Sequence, residues 1–74
     1  MKRIEVESTS LKSMAYDEEA RVLEVEFVHG GVYRYYEVPI ELYEALKTAE
    51  SKGRFYQMKI RNNFAFERVK GRKQ

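Results

Sequence analysis

The residues whose types best suit a chemical role are a group of cations and one tyrosine. Nucleic acids are bound by cations that contact phosphates and by flat side chains that stack on bases. Residues 52–74 carry eight Lys or Arg and a single acidic residue, Glu67. Tyr36 lies two positions beyond Arg34 in a strand pattern that points both outward. The predicted nucleic-acid contacts are Arg34, Tyr36, Arg54, Arg61, Arg68, Lys70, Arg72 and Lys73.

The same charge distribution has a structural alternative. Residues 1–51 carry six Lys or Arg and eleven Asp or Glu, so their formal charge of −5 faces a charge of +7 on residues 52–74. Such asymmetry indicates either an anionic partner, such as RNA or another polyanion, or two parts that attract each other in the folded chain. In the second case Arg61 forms an ion pair with Glu44 or Glu50.

The sequence contains few residues that are suited to catalysis or to metal binding. The chain has no cysteine, which excludes disulfides, thiolate ligands and a cysteine nucleophile. Its one histidine, His29, lies in a predicted turn. No apolar run approaches the roughly 18–20 residues of a membrane span. We therefore predict a cytoplasmic protein that is not an enzyme, uses no metal or cofactor and does not bind a membrane.

The clearest strand pattern runs over residues 21–29, where apolar and charged residues alternate. Glycines at positions 30 and 31 predict a turn, with Gly30 in the left-handed position of a G1 bulge. This turn sets a register in which Val25 lies opposite Tyr33, and Glu24 lies opposite Arg34. Tyr33 and Tyr35 then point into the core, whereas Arg34 and Tyr36 point to the solvent.

A helix is predicted to begin at Pro39, because proline fits the first helical turn. Gly53 is its predicted left-handed cap. Apolar residues then recur every four positions, which predicts a second, shorter helix over residues 54–62. Phe64 and Phe66 follow as an extended segment that returns to the core.

Together these elements predict an α+β fold. Its sheet is a small antiparallel three-stranded meander, and two short helices follow and pack on the apolar face. Residues 4–7 form either an extra N-terminal edge strand or a frayed terminus. We expect one domain over residues 1–69 and a basic tail over residues 70–74.

A protein-interaction module is the alternative function. The predicted outer face of the sheet carries Val22, Val28, Val32 and Tyr36 among charged residues. Exposed apolar clusters of this kind mark contact surfaces. The partner is then a second copy of the chain or another protein, and a module of this kind can also capture a small nucleotide. Alternatively, Tyr36 simply covers Val22.

A set of residues spread over positions 6–69 carries a family resemblance. The set is Leu23, Val25, Phe27, Gly30, Tyr33, Tyr35, Val38, Pro39, Tyr43, Leu46, Ala49, Ser51, Gly53, Phe55, Ile60 and Arg61. It resembles the KTSC domain, which is named for the C-terminus of some lysyl-tRNA synthetases and also occurs as a free-standing protein in bacteria and phages. RNA binding has been suggested for that domain from its synthetase context, and the resemblance implies RNA binding here.

Overall fold

The fold is a five-stranded antiparallel sheet with helices on one face. The computed structural model describes residues 2–69. The strands follow one another in the sheet in chain order, so each pairs with its neighbours in sequence. The elements are β1 (Lys2–Glu5), β2 (Leu11–Asp17), β3 (Val22–Phe27), β4 (Val32–Tyr35), α1 (Ile40–Thr48), α2 (Lys52–Phe55), a π-helical turn (Tyr56–Ile60) and β5 (Phe66–Val69).

The register of β3 and β4 is the predicted one. Val25 lies opposite Tyr33, and Glu24 lies opposite Arg34. Gly30 has a φ of +115°, which a residue with a Cβ rarely adopts. Because the side chains of a strand alternate between faces, this register also separates the inward tyrosines from Arg34.

The core lies between the sheet and the helices. Its fully or almost fully buried members include Leu11, Met14, Leu23, Val25, Tyr35, Val38, Leu46 and Ile60. Tyr16 of β2 stacks on Tyr43 of α1 with ring centroids 4.8 Å apart, and its hydroxyl donates to the carbonyl of Val38. These contacts hold α1 against the sheet. The prediction that Tyr33 and Tyr35 point into the core is confirmed. Tyr35 is buried, whereas Tyr33 packs against the core but is only half-buried.

The end of the first helix and the role of Gly53 differ from the prediction. The first helix ends at Thr48, and Ala49 is already extended. Gly53 lies inside α2, which Ser51 caps by accepting a hydrogen bond from the Arg54 amide at 3.4 Å. A Cβ on Gly53 would lie 3.2 Å from Ser10 Oγ, so glycine serves close packing here rather than a left-handed cap.

The second helix is also not the regular helix predicted over residues 54–62. It begins at Lys52 and changes to π-helical geometry over Tyr56–Ile60. Tyr56 and Ile60 are nevertheless both buried, as their spacing predicts.

The sheet has two strands more than the predicted meander. The optional N-terminal edge strand exists as β1, which pairs with β2. The extended segment after the second helix is β5, which pairs with β4 so that Tyr35 lies opposite Phe66 and Tyr33 opposite Arg68. The α+β class is confirmed, and β5 brings Phe66 and Arg68 onto the same face as the two tyrosines.

The outer face of the sheet is less apolar than predicted. Val22 and Val32 are buried, and the hydroxyl of Tyr36 donates to Glu67 over 2.7 Å. Of the four predicted cluster residues, only Val28 is well exposed, at 54%. The prediction of an exposed apolar cluster is therefore wrong. The prediction of a homodimer or another protein partner loses the observation that supported it.

Candidate functional site

A cleft opens between the helical segment and the sheet, beside the turn that joins β3 to β4. Its volume is about 510 Å³. We call it the aromatic cleft. It is lined by Thr9, Ser10, Phe27, His29, Tyr33, Tyr35, Gly53, Tyr56, Gln57, Arg61, Asn62 and Phe66.

Five aromatic rings form a closed circuit along this cleft. Phe27 contacts Tyr33 and Tyr56, with ring centroids 5.6 and 5.2 Å apart. Phe66 contacts Tyr33 and Tyr35, at 5.8 and 5.5 Å. Tyr35 and Tyr56 complete the circuit at 5.9 Å. Such separations lie within the range of favourable aromatic pairs, so each ring is held in place by two others.

The deepest part of the circuit is a pair of tyrosine hydroxyls. Tyr35 Oη and Tyr56 Oη are hydrogen-bonded to each other, and both side chains are buried. Burial, followed by the bond to Tyr56, raises the pKa of Tyr35 far above its ordinary range. The floor of the cleft is therefore uncharged and aromatic at neutral pH.

The rim of the cleft carries positive charge. Arg61 is the one lining residue with a permanent charge, and no Asp or Glu is among the lining residues of the described chain. Arg61 is exposed, and within residues 2–69 it forms no ion pair, so the predicted pairing with Glu44 or Glu50 is wrong. Glu44 pairs instead with Lys47 at 3.3 Å.

The end of the π-helical turn positions Arg61. Its amide donates to the carbonyl of Tyr56 at 2.9 Å. The next residue, Asn62, has a φ of +70°, and the Asn63 side chain donates to the carbonyl of Lys59 at 2.9 Å. These bonds end the helix with Arg61 at the rim. Short π-helical segments occur frequently at functional sites.

The sequence-predicted contacts are divided between two faces of the sheet. Arg34 and Tyr36 lie on the face away from the cleft, where Arg34 Nη2 donates to Glu24 at 2.8 Å and Tyr36 donates to Glu67. Arg61 lies in the cleft, and Arg68 is on the same sheet face, opposite Tyr33. The structure thus does not bring Arg34 and Tyr36 together with Arg61. Lys70, Arg72 and Lys73 lie outside the described residues.

A second cavity, of about 480 Å³, adjoins the aromatic cleft. We call it the polar cavity. Arg54, another predicted contact, lies here. The lining residues are Glu7, Ser8, Thr9, Ser10, Glu50, Ser51, Lys52, Gly53, Arg54, Gln57 and Met58. Thr9, Ser10, Gly53 and Gln57 line both cavities and so form the boundary between them. We call the two adjoining cavities together the groove.

Apart from Phe66, the residues that line the groove lie within a part of the chain that a known family shares. The family model of the KTSC domain matches residues 7–64. The chain belongs to the KTSC domain family. A crystal structure of a KTSC domain protein from Yersinia pestis superposes with a TM-score of 0.91 and 33% identity, covering 93% of this chain and 97% of that one.

Two further relatives show the contexts in which this KTSC domain occurs. An uncharacterised protein from Stutzerimonas stutzeri (strain A1501) is 50% identical over 56 residues, which cover 76% of this chain and 79% of that protein. A lysine–tRNA ligase from Nostoc punctiforme is 35% identical over 63 residues, covering 85% of this chain but 11% of the ligase. The family match itself indicates a domain and no class of catalyst.

Other features of this KTSC domain bear on its chemistry. Residues 2–69 contain no group of three or more His, Cys, Asp or Glu placed to hold a metal ion. Their helices are also too short or too polar to cross a membrane. The candidate site is therefore the groove, whose groups can stack, donate and accept hydrogen bonds and attract an anion.

The sequence patterns missed most of the groove. Strand alternation predicts Tyr33 as a core residue and gives no sign that its ring also lines a cleft. A usable signal was the number of aromatic residues, which make up 14% of the chain. Phe66 is the clearest case, because the sequence predicts that it returns to the core, whereas its side chain is 51% exposed at the cleft.

Proposed function

We propose that this chain is a small non-catalytic module that binds single-stranded nucleic acid by stacking a base in the aromatic cleft. One observation carries the proposal: a wall of mutually packed aromatic rings meets a single arginine in a cleft whose described lining has no carboxylate. Single-stranded nucleic acids need this combination, because every base offers a flat face and every phosphate a negative charge.

Phe66 and Arg61 have separate roles in this proposal. Phe66 is 51% exposed and its ring is held by Tyr33 and Tyr35, so a base can stack on it without displacing the core. Stacking on an aromatic side chain is worth about 1–3 kcal/mol per base. The exposed guanidinium of Arg61 contacts the adjoining phosphate. Arg68, on the same sheet face, extends the positive surface along the strand, and the basic residues 70–74 follow it in sequence.

The charge of the cleft argues for a nucleotide rather than for a cationic ligand. Aromatic cages also bind quaternary ammonium groups, because ring faces attract cations. Arg61 at the rim repels such a ligand, and none of the described lining residues is a carboxylate that offsets it. The same argument disfavours a basic peptide as the occupant.

The comparisons and composition support the proposal in a general way. A lysine–tRNA ligase, whose name gives tRNA as its substrate, contains a region similar to this chain. The absence of cysteine suits a reducing compartment, so we also propose a cytoplasmic location. Arg34 and Tyr36 are not part of the proposed surface, because they bind Glu24 and Glu67 on the other sheet face.

The test is fluorescence anisotropy with an end-labelled single-stranded oligonucleotide at low salt. Phe66→Ala is expected to weaken binding by about 1–3 kcal/mol, the value of one stacked base. Val28→Ala is the matched control, since Val28 is similarly exposed, at 54%, but lines neither cavity. Circular dichroism shows whether each variant is folded.

A second variant separates stacking from packing. Phe66→Leu keeps an apolar side chain against Tyr33 and Tyr35 but removes the flat ring, so binding is expected to fall while the fold is retained. Failure of the unmodified protein to bind any oligonucleotide at low salt would refute the proposal. Equal affinities of the parent and both Phe66 variants would refute it as well.

A further inference from the structure

The polar cavity adjoins the aromatic cleft. Thr9, Ser10, Gly53 and Gln57 line both spaces. Gly53 and Ser10 pack closely at this boundary, because a Cβ on Gly53 would lie 3.2 Å from Ser10 Oγ and 3.4 Å from Ser10 Cβ. A strand with one base in the aromatic cleft therefore places its sugar near the boundary that Thr9 and Ser10 form.

The chemistry of the polar cavity differs from that of the aromatic cleft. Its cations, Lys52 and Arg54, are matched by two carboxylates, Glu7 and Glu50, so its lining is formally neutral. Lys52 Nζ also donates to the carbonyl of Ala49 at 3.2 Å. A phosphate gains little from such a site, whereas a hydroxyl, which both donates and accepts, fits mixed hydroxyl, amide and carboxylate groups.

The loop of residues 8–10, which we call the hydroxyl loop, places Thr9 and Ser10 at the groove. Ser8 Oγ accepts from the amides of Ser10 and Leu11, at 3.1 and 3.2 Å, which fixes the loop. The carbonyl of Ser10 accepts from the amide of Val28 at 2.8 Å, which ties the loop to the sheet. Within residues 2–69 the hydroxyls of Thr9 and Ser10 make no side-chain hydrogen bond, so both can bond a ligand.

We propose that Thr9 and Ser10 bind the ribose 2′-hydroxyl of a strand whose base is stacked in the aromatic cleft, so that this module selects RNA over DNA. The inference rests on the proposed function. The 2′-hydroxyl is the group by which a protein distinguishes RNA from DNA at a given site. Glu7 and Glu50 serve the neighbouring sugar, because carboxylates accept hydrogen bonds from ribose hydroxyls.

The experiment compares oligo-rU with oligo-dU of the same length and label on the intact chain. The ribo-oligonucleotide is expected to bind about fivefold more tightly for each hydrogen bond made to a 2′-hydroxyl. Thr9→Val and Ser10→Ala each remove a hydroxyl and little else. The double variant is expected to bind both oligonucleotides as the parent binds oligo-dU.

Two controls define what a loss of selectivity means. Phe66→Ala is expected to lower the affinity for both oligonucleotides by the same factor, because a base stacks equally well on either sugar backbone. Thr48→Val is expected to change neither affinity, because the Thr48 hydroxyl bonds carbonyls of its own helix, those of Glu44 and Ala45.

The outcomes distinguish this inference from the proposed function. Equal parent affinities for oligo-rU and oligo-dU would overturn the inference and leave the stacking proposal standing. Selectivity that survives in the double variant would overturn the assignment to Thr9 and Ser10. Binding of neither oligonucleotide would overturn the proposed function and the inference with it.

Discussion

Glu24 and Arg34 lie opposite each other on β3 and β4, and Arg34 Nη2 donates to Glu24 Oε2 over 2.8 Å. Arg3 donates to the other oxygen of the same carboxylate and, at 2.7 Å, to the hydroxyl of Ser13. Glu24 of β3 therefore connects β1 and β4 on the outer face of the sheet, which is the face without helices. Its hydrogen bond to Arg34 raises the pKa of the guanidinium, which stays charged throughout.

Removing this carboxylate is expected to destabilise the sheet. Glu24 is only 8% exposed, and Glu24→Ala leaves Arg3 and Arg34 without their shared partner. We expect the free energy of unfolding to fall by about 1–3 kcal/mol, as for charged hydrogen bonds that are largely shielded from water. Urea denaturation measures the change. Glu18→Ala, in an exposed turn, is the control and should stay within about 0.5 kcal/mol; equal losses would contradict the role of Glu24.

The turn between β3 and β4 gives a second stability prediction. Apart from its two chain neighbours, no residue of the described chain lies within 4 Å of a Cβ built on Gly30, but its φ of +115° strains any side chain. A Cβ on Gly31 instead lies 3.0 Å from Cε1 of Tyr33, so a shift of that half-buried ring by a few tenths of an ångström accommodates it. Gly30→Val is therefore expected to cost more than Gly31→Ala, with about 1–2 kcal/mol from the backbone alone. Equal losses in urea denaturation would contradict the turn geometry.

Local patterns were sufficient to predict the centre of the sheet. Alternation in β3 and the glycines after it determine which residues of β4 lie opposite Val25 and Glu24, and the structure has that register. The reason is physical: a slip of one residue would move the inward side chains Tyr33 and Tyr35 to the outer face.

The helical segment and the groove depended on contacts between distant parts of the chain. Gly53 looked like a helix cap, but its proximity to Ser10 decides its role. The four residues of β5 contain two charges and no apolar alternation that reveals a strand, and their pairing with β4 is a tertiary effect. Because Phe66 reaches the cleft through that pairing, the cleft itself could not be predicted.

The buried tyrosine pair predicts a loss of stability in alkali. Burial raises the pKa of Tyr35 in the folded state, so the unfolded chain releases this proton first. The contribution of Tyr35 to the free energy of unfolding is therefore fully present below about pH 10. Above that pH it declines as the pH rises toward the pKa of the folded state. The contribution of one such tyrosine falls by about 1.4 kcal/mol per pH unit.

Tyr35→Phe is the variant that isolates this effect. At neutral pH it is expected to cost about 1–3 kcal/mol, because Tyr56 loses its buried partner. Above about pH 10 its stability should fall less steeply than that of the parent by about 1.4 kcal/mol per pH unit. Urea denaturation over a series of pH values measures both slopes. Curves that stay parallel in alkali would show that Tyr35 ionises equally readily in the folded chain.

The salt dependence of binding distinguishes Arg34 from Arg61, which the sequence analysis both named as nucleic-acid contacts. For a single strand, log Kobs changes with log salt by about −0.7 for each phosphate contact. Arg61→Gln is expected to make the measured slope less negative by about 0.7, because its guanidinium is exposed at the cleft. Arg34→Gln is the matched control and should leave the slope unchanged, since Arg34 is bound to Glu24 on the opposite face. A slope that responds to Arg34 and not to Arg61 would place the nucleic acid on the outer face of the sheet and refute the cleft as the phosphate-binding site.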